Sequence, residues 1–193
     1  MSRATRAGRT NTDPALSVSP VSPRHTSLRP ERTTPTSGCG SVTAASSSSI
    51  SDGAAVTVLL SADEAARRGV QPLARIAGHT TFSHQPEWFT TAPVGAISAL
   101  LDKVGWTIAE VDLFEINEAF AVVAMAPIKE LGIPHAKVNV NGGACALGHP
   151  IGASGARLVV TLVNALRKRG LKRGVAALCI GGGEATAIAV EVA

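Results

Sequence analysis

Three short stretches of this chain combine reactive side chains with backbone able to bend closely around a ligand. The first is Glu115-Ile116-Asn117-Glu118-Ala119-Phe120, where an apolar run ends in polar residues. In α/β folds ligands gather at the C-terminal ends of strands, so Asn117 is placed to meet one. It is equally placed to cap the helix that follows. The second stretch, 141–155, holds five glycines around His149, which is fixed between Gly148 and Pro150. A neutral imidazole there can accept a proton or face a developing oxyanion, or it can be an ordinary satisfied loop histidine. The third is Cys179-Ile180-Gly181-Gly182-Gly183 at the end of an apolar run. A buried cysteine is most often packing, but three glycines after it pack poorly and let another group approach the sulfur.

Competing motifs are absent. The chain contains neither a phosphate-binding G-x-x-x-x-G-K-[ST] nor a G-x-G-x-x-G. Gly152-Ala153-Ser154-Gly155-Ala156 stops short of a nucleophile elbow, because Ala156 stands where the second glycine belongs. Cys39, Cys145 and Cys179 form no C-x-x-C pair, so neither a zinc ribbon nor a disulfide framework is expected, and no metal is assigned.

The elements that must position these groups alternate. The spacing predicts an apolar strand over 54–60, a helix over 62–68 stopped by Gly69, and a strand over 73–79. A helix over 94–104 stopped by Gly105 follows, then a buried strand over 113–116. A helix is expected over 118–131 with Asn117 as N-cap, Gly132 as stop and a kink at Pro127. After the glycine-rich stretch comes a helix carrying Leu158, Val159, Leu162, Val163 and Leu166 on one face, closed by Arg167, Lys168, Arg169 and Gly170. Two strands, 175–180 and 186–192, flank the three glycines. Alternating helices and apolar strands indicate an α/β layered fold.

Composition narrows the function. Residues 1–40 carry six arginines against Asp13 and Glu31, whereas 41–193 balance twelve basic against twelve acidic residues. The net charge of +4 therefore belongs to the N-terminal stretch, and the remainder has no excess with which to hold nucleic acid. Aromatic residues are 3 %, too few for base-stacking platforms. No long apolar segment predicts a membrane span, and no secretory signal is seen. A reduced, cytoplasmic location is expected. Residues 1–40, rich in Arg, Ser, Thr and Pro, read as a disordered leader.

Taken together the motifs resemble one family. Asn-Glu-Ala-Phe at 117–120, the run from Gly142 to Pro150 with Gly152, Ser154, Gly155 and Arg157, and Cys-Ile-Gly-Gly-Gly at 179–183 look like the thiolases in type, order and spacing. Ser51-Asp52-Gly53 and Pro72-Leu73-Ala74-Arg75-Ile76 agree, so the resemblance covers 42–193. It implies a C-terminal thiolase domain over 70–193, a mixed five-stranded sheet layered with helices, preceded by a remnant of the N-terminal half over 41–69.

The resemblance also implies an activity: acetyl-CoA C-acetyltransferase chemistry, interconverting 3-ketoacyl-CoA plus CoA with acyl-CoA plus acetyl-CoA. It assigns His149 to activation of a nucleophilic cysteine and to an oxyanion hole, Cys179 to acid/base work at the substrate α-carbon, and Asn117 to orienting a water in the oxyanion hole. Gly148, Gly181 and Gly182 belong to the glycine loops there, and Ser48 lies beside the CoA pantetheine arm. Coenzyme A thioesters are substrates, and no bound cofactor is implied. The family's nucleophile belongs to the N-terminal half, which this sequence lacks except for its tail end. Cys39, in a Pro- and Thr-rich stretch, does not replace it, and Cys145 reads as packing. A truncated chain with little turnover of its own is expected, partnered by a second copy or by the missing half. A non-catalytic CoA-binding module and one half of a split thiolase are the alternatives. A ketoacyl synthase would carry histidine where Cys179 stands.

Overall fold

The computed structural model describes residues 14–18 and 42–192. Six strands form a single mixed sheet: β1 (Pro14–Val18), β2 (Thr57–Ser61), β3 (Ala74–Ser83), β4 (Leu113–Ile116), β5 (Arg173–Ile180) and β6 (Glu184–Val192), in the order β2-β1-β3-β6-β5-β4. Among the described strands only β4 runs parallel to its neighbour, β5; the other pairings are antiparallel. A parallel neighbour needs a long crossover, and the 56 residues between Ile116 and Arg173 supply it, carrying most of the site.

The described residues form five α-helices as well: α1 (Ala62–Arg67), α2 (Ala92–Val104), α3 (Ala121–Glu130), α4 (Ala144–Leu147) and α5 (Ser154–Arg169). Strand alternation divides the core. Phe114, Ile116, Val175, Ala177, Ala187 and Ala189 face α2, with Ile97 and Leu100 packed on them. Leu113, Ala176 and Val190 face α5, whose Leu158, Leu162 and Leu166 are fully buried. Burying each such leucine stabilises by about 2 kcal/mol. Alanines in the central strands leave room for both helices. At Gly174 the approach is closer still: a Cβ there would lie 2.7 Å from Leu162 Cδ1.

The structure corrects three expectations. The sheet has six strands among the described residues, not five. The extra one, β1, lies inside the stretch read as a disordered leader; Ala15-Leu16-Ser17-Val18 has enough β character to pair with β2 along its length and with β3 at two positions. Cys39 lies outside the described residues. Asn117 does not cap a helix: α3 begins at Ala121 with Phe120 as N-cap, because the Asn117 amide donates to Ala177 O of β5 and extends the strand instead. Helix α3 then passes through Pro127 as one element.

Candidate functional site

Along β4 the α5-facing side carries Leu113, then Glu115, then Asn117, so an apolar row turns polar as the strand ends. Asn117 is fully buried, and its Nδ2 lies 3.4 Å from His149 Nε2. The histidine is delivered by α4 and held before α5. Gly148, at φ +91°, ends α4, and its amide donates to Ala144 O. The His149 amide donates to Ser49 O at 2.8 Å, which pins the histidine backbone to the segment preceding β2. A Cβ on Gly148 would stand 2.5 Å from Ser51 Oγ, so this close approach and the turn both require glycine.

Two further contacts fix the imidazole. Its Nδ1 is 2.6 Å from Ser154 Oγ in the first turn of α5, and that hydroxyl donates onward to Pro150 O at 3.1 Å. A hydroxyl donating to a carbonyl accepts from Nδ1–H, which leaves Nε2 as the lone-pair nitrogen facing Asn117. Burial and the positive charge of Arg157 both lower the His149 pKa, burial more. The ring is accordingly neutral at pH 7, with Nε2 able to take a proton.

Behind this pair lies a buried ion pair. Arg157 of α5 approaches Glu115 at 3.9 Å, and Glu115 is 1 % exposed. Burial raises the Glu115 pKa to about 7 against the opposing pull of Arg157. Among the described residues neither Glu115 oxygen nor the two terminal Arg157 nitrogens have a hydrogen-bond partner, and Asn117 Oδ1 likewise has none there.

Cys179 occupies the C-terminal part of β5, opposite Ala185. It is half-buried, and burial pushes its thiol pKa up. It therefore stands at neutral pH as a protonated thiol. No hydrogen bond among the described residues links it to His149 or Asn117. Gly181, Gly182 and Gly183 form the β5–β6 turn, with φ +97° at Gly182 and +86° at Gly183. Only Gly183 is crowded: a Cβ there would meet His84 O at 2.3 Å. Space is open beside Gly181 and Gly182.

Ser48 donates through its hydroxyl to Ala119 O at 2.9 Å, so its side chain ties the 47–50 segment to the connection between β4 and α3. Cys145 is part-exposed, its sulfur 3.7 Å from Glu118 O. Phe89 meets Phe120 edge-on at 6.2 Å, whereas Trp88 is 57 % exposed. Sequence reasoning gave no role to Ser154, Glu115, Glu118, Asn139 or Arg157. A charge inside the all-buried strand Leu113–Ile116 was the signal that a partner such as Arg157 had to exist. Among the described residues no three His, Cys, Asp or Glu side chains cluster as a metal site, and no helix is long and apolar enough to cross a membrane.

Comparison with known proteins finds one family. The thiolase C-terminal domain family matches residues 70–192. An acetyl-CoA acetyltransferase of Chromobacterium violaceum is 52 % identical over 152 residues, which cover 79 % of this chain and 39 % of that protein. The mouse cytosolic acetyl-CoA acetyltransferase is 51 % identical over 156 residues, 81 % of this chain and 39 % of its own length. Among solved structures, the Bacillus anthracis acetyl-CoA acetyltransferase aligns with a TM-score of 0.77 at 47 % identity, covering 79 % of this chain and 39 % of that one. Human mitochondrial 3-ketoacyl-CoA thiolase in complex with CoA aligns at 0.72 and 40 % identity, covering 79 % and 38 %. The chain thus spans about 39 % of the length of these curated relatives.

Proposed function

We propose a function from one premise: this chain belongs to the thiolase family, matched over 70–192. Its residues 42–192 carry one half of an acyl-transfer site for coenzyme A thioesters, the reaction being acetyl-CoA C-acetyltransferase chemistry in the condensing or thiolytic direction. The observation that supports this best is the line Asn117–His149–Ser154, which presents a neutral imidazole nitrogen where a strand end meets a glycine-rich loop.

In this reading His149 Nε2 takes the proton of a cysteine thiol supplied by the remaining thiolase portion. The resulting thiolate attacks the acyl carbonyl, forming a thioester as the departing carbon or CoA sulfur accepts the bonding pair. A thiolate suits this exchange because nucleophile and leaving group have similar basicity. The imidazole, with a water oriented by the Asn117 amide, stands at the carbonyl oxygen, where charge develops. Cys179, a thiol at neutral pH, gives its proton to the α-carbon in thiolysis and recovers it in condensation. Gly181 and Gly182, with open space beside them, let the thioester come close to that sulfur. The Gly148 amide, already bonded to Ala144 O, serves the turn and not the oxyanion. Ser48 sets the wall along which the pantetheine arm would lie. Soluble, cytoplasmic acyl-CoA metabolism is the setting this chemistry fits, with CoA and a complementary thiolase portion, or a second copy, as partners.

Acetoacetyl-CoA thiolysis tests the reading, followed by loss of ketoacyl-CoA absorbance. The chain by itself is expected to give no turnover, and turnover is expected on mixing with a thiolase N-terminal portion that bears the nucleophile. Turnover by the chain alone would overturn the half-site reading. Saturable CoA binding without turnover in either case would identify a binding module instead.

A further inference from the structure

Glu118 directly follows Asn117 and takes no part in the chemistry above, yet both of its carboxylate oxygens are engaged. Oε1 accepts from Asn139 Nδ2 at 2.7 Å, and Oε2 accepts from the Cys145 backbone N–H at 3.1 Å. Each contact leads to a different part of the site's framework.

Asn139 leads back to β4. It sits at φ +48°, a left-handed conformation that asparagine tolerates better than most residues. Its backbone amide donates to Phe114 O at 2.9 Å. Its side chain accepts from Ile116 N at 2.8 Å and donates to Ile116 O at 2.9 Å. One asparagine therefore closes the outer edge of β4 as a neighbouring strand would, and it fixes the strand end from which Asn117 emerges.

Cys145 leads to the histidine loop. It lies in the first turn of α4, whose N-cap is Gly143 and which has no capping side chain of its own. Glu118 supplies the missing acceptor from another element, with its negative charge at the favourable end of the turn. A Cβ on Gly143 would stand 2.0 Å from the Glu118 carboxylate, so this approach requires glycine. Three residues after Cys145, Gly148 closes α4, and His149 follows at once. Two adjacent residues hold one loop at two points: Asn117 touches the imidazole, and Glu118 anchors the turn that delivers it.

We propose that Glu118 is a positioning residue for the Asn117–His149 pair, acting through the Asn139 side chain and the Cys145 amide. The proposal rests on the assignment of Asn117 and His149 to the site, but its test needs no turnover.

The measurement is an NMR titration of the His149 ring in the full chain, with the resonance assigned by its loss in His149→Gln. In Glu118→Gln one carboxylate oxygen becomes an amide nitrogen that faces a donor, so one of the two links is lost. His149 is then expected to leave its half-buried place, with its pKa rising towards that of a free imidazole and its Nδ1–H tautomer giving way to a mixture. In the double variant Glu118→Gln/Asn139→Asp the new amide donates to the new carboxylate, and the titration is expected to return towards the original at the cost of the bond to Ile116 O. Should Glu118→Gln fail to fold, Glu118→Asp keeps the charge while shortening the reach, and is expected to give a smaller shift in the same direction. A folded Glu118 variant with an unchanged His149 titration overturns the proposal, as does a shift the double variant leaves unreversed. A failed thiolysis assay beside the expected ring shifts removes the reaction and leaves the positioning role standing. Intact thiolysis beside an unresponsive ring removes the positioning role alone.

Discussion

The Ser154 hydroxyl lies 2.6 Å from His149 Nδ1 while donating to the carbonyl of Pro150, so a fully buried serine decides which imidazole nitrogen carries the proton. A histidine in a glycine-rich loop would otherwise interconvert between tautomers, and only one of them leaves Nε2 free to accept a proton beside Asn117.

Ser154→Ala should therefore change the state of the ring before it changes the fold. The variant leaves Nδ1–H without its acceptor, a loss of about 1 to 2 kcal/mol in stability for one buried hydrogen bond. Ring nitrogen chemical shifts should move from a dominant Nδ1–H form to a mixture, and turnover with a complementary thiolase portion should fall accordingly. An unchanged tautomer ratio would show that Asn117 alone orients the ring.

Glu115 makes stability depend on pH in a defined direction. Its carboxyl titrates at about 7 in the fold because burial disfavours the charge. In the unfolded chain it titrates near 4.5. Between those values the folded state holds the extra proton, so unfolding free energy falls as pH rises, by about 3 kcal/mol from this group. His149, whose pKa is lowered, contributes the opposite slope below its ordinary pKa. Urea unfolding of the wild-type chain and of Glu115→Gln between pH 4.5 and 7.5 isolates the Glu115 part: the difference between the two curves should slope as stated. Parallel curves would mean that Glu115 stays ionised throughout, held by Arg157.

Much of this architecture is legible in the residues themselves. Gly105 and Gly170, both left-handed in the structure, end α2 and α5 where the spacing puts the stops. The strand Leu113–Ile116 and the leucine face of α5 follow from apolar periodicity alone. Asn117 is harder, because an asparagine before a helix and an asparagine at the end of a strand look the same in sequence. What separates them is the Ala177 carbonyl of β5, sixty residues away, which captures the Asn117 amide. Strand β1 fails for a related reason. Five residues in a Pro- and Arg-rich stretch carry too little pattern to announce pairing with β2. The contacts of Ser154, Glu118 and Asn139 are tertiary, and no local spacing encodes them.

The glycines after Cys179 separate structural from functional demand. At Gly183 φ is +86° and an added Cβ would meet the His84 carbonyl at 2.3 Å, so Gly183→Ala should cost more than about 2 kcal/mol in chemical denaturation. At Gly181 nothing lies within 4 Å of the same added atom. Gly181→Ala should stay within about 1 kcal/mol of wild type. If thioester approaches Cys179 over this turn, Gly181→Ala should nevertheless weaken acetyl-CoA binding or turnover in the complemented enzyme. Unaltered binding and turnover would reduce the three glycines to a tight β5–β6 connection.

Alkylation tests the acid assigned at Cys179. Burial raises its thiol pKa, against a smaller lowering by a backbone hydrogen bond. The thiol of Cys145 is raised too, by burial first and then by the charge of Glu118. Since the thiolate is the reacting form, both should label with iodoacetamide more slowly at pH 7 than a free cysteine, by about tenfold for each unit the pKa is raised. Peptide mapping over pH 6.5 to 10 should show Cys179 labelling still climbing, by about tenfold per pH unit, beyond the ordinary thiol pKa. Labelling of Cys179 at pH 7 as fast as a free thiol would mean that its thiolate is stabilised in this chain. The sulfur would then enter the reaction as a base already formed, and the proton it gives to the α-carbon in thiolysis would have to come from elsewhere.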